Sequence, residues 1–85
     1  MAATFRLDIV TPTGVVFRGE VVSVIAPGTE GYLGVLAHHA PLVTALKAGT
    51  LTVRDPAGAQ HEHRITGGFL EVSRNQATVL ADAVA

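Results

Sequence analysis

Residues 50–82 read TLTVRDPAGAQHEHRITGGFLEVSRNQATVLAD, and turn signals cut this stretch into short alternating segments. In TLTVR, Leu51 and Val53 fall on one side of an extended chain and the threonines on the other, a period of two that marks a half-buried strand. Asp55, Pro56 and Gly58 then occupy the first, second and fourth positions of DPAG, as a type I turn prefers. TLTVR and QHEHRIT should therefore pair as a hairpin. Gly67 and Gly68 permit a sharp change of direction. FLEVS and ATVLAD, joined by the turn RNQ, form a further hairpin.

Outward from this stretch the same pattern holds. In FRLDIV, Phe5, Leu7 and Ile9 alternate with Arg6 and Asp8. TPTG, residues 11–14, is placed for a turn. Val15 to Ala26 is rich in β-branched residues and reads as one strand. Its first half puts Val15, Phe17 and Val21 on one face and its second half puts Val22 and Val24 on the other, so a bulge or bend is expected near Gly19. PGTEG breaks the run, YLGVL is a candidate short strand, and HHAP is another turn. LVTALK is too short for period to separate helix from strand. The whole segment from Glu30 to Leu42 lies between strands, yet it carries Tyr32, Leu33, Val35, Leu36 and Leu42, an apolar load unusual for a surface connection. No segment shows a helical stripe. Short strands recurring every ~8–12 residues predict an antiparallel sandwich or barrel.

Composition narrows the function. The chain has 85 residues, which make one domain, residues 1–85, with a thin stability margin. It has no cysteine, so disulfides and thiol chemistry are excluded. Charged residues are 15% of the chain, below the usual ~25%, which suggests surface that a partner covers. The net charge is −1 with no basic run, so no nucleic-acid partner is expected. No apolar stretch approaches the ~20 residues of a membrane span, and MAATFRLDIV lacks the pattern of a signal peptide. The expectation is a soluble intracellular domain whose link to any membrane is indirect.

Candidate chemistry is sparse. His61 and His63 share a strand face and can reach one ion, but a catalytic metal usually takes three protein ligands and Glu71 lies too far along the chain. A small metal-dependent enzyme is the alternative they raise. Ser23 and Ser73 sit in no nucleophile elbow. GTEGYLG lacks the ending of a phosphate loop. His38 and His39, before Ala40 and Pro41, read as turn or interface residues.

Taken together, LDIVTPTGVVFRGEV, PGTEGYLGVLAHHAPL, ITGGFLEV and ATVLADAV resemble the N-terminal domain of the epsilon subunit of F-type ATP synthases, in the family's order and over nearly the whole chain. The resemblance implies an all-β fold, a flattened antiparallel β-sandwich of about ten short strands. It implies a non-catalytic rotor subunit of the central stalk that links the gamma subunit to the membrane c ring, in a complex with alpha, beta and delta, and couples ion flow to ATP synthesis. No cofactor is expected. Glu30, Gly31, Tyr32, Leu33 and Gly34 correspond to the end facing the c ring. Thr11, His39, Ala40, Pro41, Thr44 and Thr66 correspond to the side facing gamma. Tyr32 stands where relatives often carry a polar or acidic residue, and Ala37-His38 replaces a common Pro-Gly. The C-terminal pair of helices that acts as the family's inhibitory switch has no counterpart in these residues: as a natural chain they should couple without that switch, and as a piece of a longer one the switch would lie outside them. The implied location is peripheral, on the cytoplasmic side of the bacterial inner membrane or the stromal side of the thylakoid. A free-standing binding module with an unrelated partner is a further alternative.

Overall fold

The computed structural model describes residues 3–85, and these form strands and turns without a helix. Strands β1 (Phe5–Thr11), β2 (Gly14–Val21), β3 (Ser23–Gly28), β4 (Gly31–Leu36), β5 (Leu42–Arg54), β6 (Gln60–Ser73) and β7 (Gln76–Ala81) join in the order β2-β1-β7-β6-β5-β3-β4. All neighbours are antiparallel except β1 and β7, which run parallel with Arg6 opposite Gln76 and Val10 opposite Leu80.

A single hydrogen-bonded sheet becomes two layers because β5 and β6 are long. The first half of β5 and the second half of β6 lie with β7, β1 and β2, whereas the second half of β5 carries β3 and β4. One core fills the space between. Phe5, Leu7, Ile9, Leu70, Val72 and Val79 come from the first layer and Val24, Val35, Leu51, Val53 and Ile65 from the second. The all-β sandwich expected from the sequence is present. It has seven continuous strands where about ten short ones were expected, because LVTALK runs on into TLTVR and QHEHRIT runs on into FLEVS.

The two long strands keep one register from Leu42 opposite Val72 to Arg54 opposite Gln60. Their buried face nevertheless changes sides. Leu46 is buried with Leu70 and Val72, then Leu51 and Val53 with Ile65, which is a shift from even to odd positions in β5 and the reverse in β6. The ribbon therefore rolls over as it passes from one layer to the other. The roll is centred on Gly67 and Gly68, whose φ angles of 141° and 147° suit a residue without a Cβ. The glycine pair thus redirects the inward face without ending the strand.

Two local expectations are corrected. Val15–Ala26 is two strands, not one, and the break falls at Val22, whose amide donates to the Arg54 carbonyl at 2.8 Å. The register shift in the first of them lies at Val15–Phe17, opposite Ile9 and Val10, while Gly19 pairs regularly with Leu7. The change of face from Val21 to Val24 is real, but it marks the passage of the chain between layers. The DPAG turn is as expected, closed by the Gly58 amide donating to the Asp55 carbonyl at 3.0 Å.

Candidate interaction surface

The apolar segment after Glu30 is an edge strand. Thr29 and Glu30 form a two-residue turn between Gly28 and Gly31, and β4 returns along β3 with Val35 opposite Val24. Leu33, Val35 and Leu42 pack into or against the core, which accounts for three of the segment's five large apolar residues. Tyr32, Gly34 and Leu36 alternate outward, beside the exposed Ile25 of β3. Tyr32 lies across Pro27 and Gly49, so close that a Cβ on Gly49 would come within 2.9 Å of the Tyr32 hydroxyl. The Thr29 amide donates to the Ala45 carbonyl at 3.1 Å and ties the hairpin tip to β5. All of the residues expected at the c-ring end, Glu30 through Gly34, therefore occupy one anchored hairpin.

The residues expected to face gamma do not form one cluster. His39, Ala40 and Pro41 lie in the turn that enters β5 at Leu42, opposite Val72 near the β6–β7 turn. Thr11 ends β1, where its hydroxyl bridges Thr13 and the Gly14 carbonyl. It lines a shallow cleft of about 250 Å³ with Pro12, Asp82, Ala83 and Val84. Thr66 lies beside the same C-terminal segment, its amide donating to the Ala83 carbonyl at 3.2 Å. Thr44 falls between these groups, opposite Leu70. The spread from Phe5 at the start of β1 to Thr11 is roughly 20 Å at ~3.3 Å per residue.

Asn75 was not expected and organises the His38 end. Its side-chain oxygen accepts the His38 amide at 2.8 Å, its side-chain nitrogen donates to the Thr4 carbonyl at 3.0 Å, and its own carbonyl accepts the Arg6 amide at 3.3 Å. Arg74 and Asn75 both have positive φ, 54° and 59°, the shape of a tight hairpin turn. His38 too has positive φ, 63°, so its place in the turn is held through its backbone. Asn75→Ala should lower unfolding free energy by about 2 kcal/mol, because the His38 amide and the Thr4 carbonyl lose their partner and the turn is strained. Urea unfolding should show a lower midpoint with an unchanged slope; an unchanged midpoint would mean that the turn holds itself without this side chain.

His61 and His63 part company. The His61 ring donates from Nε2 to the Asp55 carboxylate at 2.9 Å. That bond, with the Ala59 and Ala57 amides, holds the Asp55 carboxyl below the usual carboxylate range. His63 packs on Phe17, ring centroids 6.2 Å apart, and burial pushes its imidazole below the ordinary histidine value. Among the described residues no three potential metal ligands converge.

The sequence reading also missed an apolar row on the outer face of the first layer. Val15, Val10, Leu80, Phe69 and Ala45 are successive cross-strand partners over five strands, and Phe69 and Leu80 are each more than half exposed. The signal was present in FLEVS: if Leu70 and Val72 face the core, Phe69 must face out.

Residues 4–85 match the model of the ATP synthase delta/epsilon chain β-sandwich domain. The chain is 55% identical over 82 residues to the ATP synthase epsilon chain of Desulforamulus reducens, which covers 96% of this chain and 61% of the relative. It is 50% identical over 80 residues to that of Moorella thermoacetica, covering 94% of this chain and 60% of the relative. It thus spans about three fifths of the length of these relatives. The epsilon chain of Chlorobium limicola is 46% identical over 80 residues and is covered over 91% of its length. In fold, all of the chain superposes on 54% of a chain from Euglena gracilis mitochondrial ATP synthase, OSCP/F1/c-ring, with a TM-score of 0.92 at 24% identity. A family model that matches all but the first three residues settles the group, and the chain belongs to the ATP synthase delta/epsilon chain β-sandwich family.

Proposed function

We propose that this domain is a non-catalytic rotor element of the central stalk, holding the gamma subunit and the c ring in fixed register while ions drive ATP synthesis. Family membership across residues 4–85 carries the reading. The geometry supports it. Torque crosses between bodies without slip only if the coupling body is stiff, and here each proposed contact sits on hydrogen-bonded strands or on a turn pinned to them. The Glu30–Gly34 hairpin is the c-ring contact, and the exposed Tyr32 gives it apolar area to bury at roughly 25 cal/mol per Å². Thr11, Thr44, Thr66 and the His39–Pro41 turn are the gamma contacts. Strung along the domain, they fit a partner that lies lengthwise against it. Low charge and exposed apolar residues suit a protein that works inside an assembly. Alpha, beta and delta complete that assembly, on the cytoplasmic side of the bacterial inner membrane.

Reconstitution tests the reading. An F-type complex lacking this subunit is expected to hydrolyse ATP yet pump ions poorly, and adding the chain back should restore pumping. Pumping that is indifferent to its presence would overturn the assignment. The geometry lends the metal-enzyme alternative no support, since His61 bonds Asp55 while His63 packs on Phe17.

A further inference from the structure

β2 is the outer strand of one layer, and the first half of β6 is flanked in the other layer only by β5 and the short segment after β7. Along this margin the two layers face each other through Phe17 and His63. The Nε2 atom of His63 is buried and has no hydrogen-bond partner among the described residues. We propose that His63 is a proton-sensitive latch: neutral, it closes the seam between β2 and β6; protonated, it leaves for water and the seam opens while the remaining strands stay paired.

The surroundings of the ring support this. From β6, His61 shares its face, whereas Glu62 and Arg64 occupy the alternate positions. Across the ladder on β5 stands Leu51, flanked on that face by Gly49 and Val53. From β2, Arg18 turns away to meet Asp8 at 3.3 Å and Glu20 accepts from the Thr4 hydroxyl at 2.9 Å. Asp55 is engaged by His61, and in the segment after β7 Asp82 lies beside Gly67. Asp8, Glu20 and Asp55 thus have other partners, Asp82 lies at Gly67 rather than at the ring, and the nearest titratable neighbour on the same face is another histidine. An imidazolium there would carry a buried donor without an acceptor. Burial, and then His61, lower the proton affinity of His63 in the fold. The unfolded chain therefore takes up this proton first. The contribution of neutral His63 is complete above the ordinary histidine value of ~6.5 and is lost as pH falls through it towards the lower value in the fold.

Hydrogen exchange and NMR titration on the 85-residue chain test the latch. Amides of Val15–Glu20 and His61–Arg64, corrected for the intrinsic pH dependence of exchange, should lose protection about tenfold between about pH 7.5 and about pH 5. Amides of β7 and of the second half of β6 should not follow. His63→Leu should abolish the change, with His63→Gln as the replacement if the leucine variant does not fold. The His63 ring should titrate below free histidine in the wild-type chain. The proposal is overturned if His63 titrates at or above the free value, if the loss of protection persists in the variant, or if it spreads evenly over all strands.

Discussion

Gly68→Ala is expected to cost the fold about 4 kcal/mol or more. Two effects act together. The φ of 147° at Gly68 lies where an L side chain is strained, which costs of order 1–3 kcal/mol. In addition, a Cβ there would run into the Leu80 carbonyl and come within 3.0 Å of the Ala81 Cα. Those atoms are backbone of β7, paired with β6 through Gly68 and Ala81, so relief requires moving a central strand. A domain of this size has about 4–13 kcal/mol of stability at ~0.05–0.15 kcal/mol per residue, and a loss of 4 kcal/mol or more consumes much of it. Gly67→Ala carries similar φ strain, at 141°, but its Cβ meets only the movable Asp82 carboxylate at 3.2 Å and, at ordinary contact distance, the Leu46 carbonyl oxygen at 3.5 Å, so it should cost less. Gly19→Ala, with ordinary φ and Phe17 at 3.6 Å, should be tolerated. Circular dichroism with urea titration should therefore rank Gly68 far above Gly67 and Gly67 above Gly19. A folded Gly68→Ala with a midpoint near wild type would mean that the roll of the β5–β6 ribbon does not depend on this residue.

The same glycines show what was legible in the sequence. Period-two alternation in FRLDIV, TLTVR and ATVLAD located strands and their inward residues, because burial on one side of a pleated chain imposes that period directly. Leu7, Ile9, Leu51 and Val53 are indeed fully buried. GG was correctly read as a change of direction, but the chain rolls there without leaving the ladder, and only the partner's register reveals that. The parallel pairing of β1 with β7 joins residues some seventy positions apart, as does the Asn75 bond to Thr4. Neither leaves a local pattern. The site was legible in part. Glu30–Gly34 was identified as a unit through its resemblance to a family and is one hairpin. That Ile25 lies beside it, and that Phe69 lines up with Leu80 in one row, emerge only when neighbouring strands are placed. His63 looked like half of a metal pair because its strand-mate is two residues away; that its ring faces Phe17 from the other layer is a tertiary fact.

Gly34→Arg is expected to leave the domain folded and to uncouple the assembled enzyme. A glycine in this hairpin can serve backbone shape or direct contact, and the structure separates Gly31 from Gly34. Gly31 has a φ of 132° and so is needed for the turn, although a Cβ there would meet nothing within 4 Å. Gly34 lies in regular strand opposite Ile25, is exposed, and also has open space where a Cβ would be. Backbone shape therefore gives no reason for glycine at 34. An exposed substitution without a clash should change stability by no more than about 0.5 kcal/mol. If the outer face of β4 lies against the c ring, an arginine there holds the surfaces apart and buries a charge without a partner, which at an interface costs about 2–5 kcal/mol, or roughly thirtyfold or more in affinity. ATP-driven ion pumping in the reconstituted complex should fall accordingly, while ATP hydrolysis and the urea midpoint of the isolated chain stay near wild type. Gly31→Val makes the contrast, since it should lower the urea midpoint as well as pumping. Normal pumping by Gly34→Arg would remove the outer face of β4 from the ring contact and leave only the Thr29–Glu30 tip to make it.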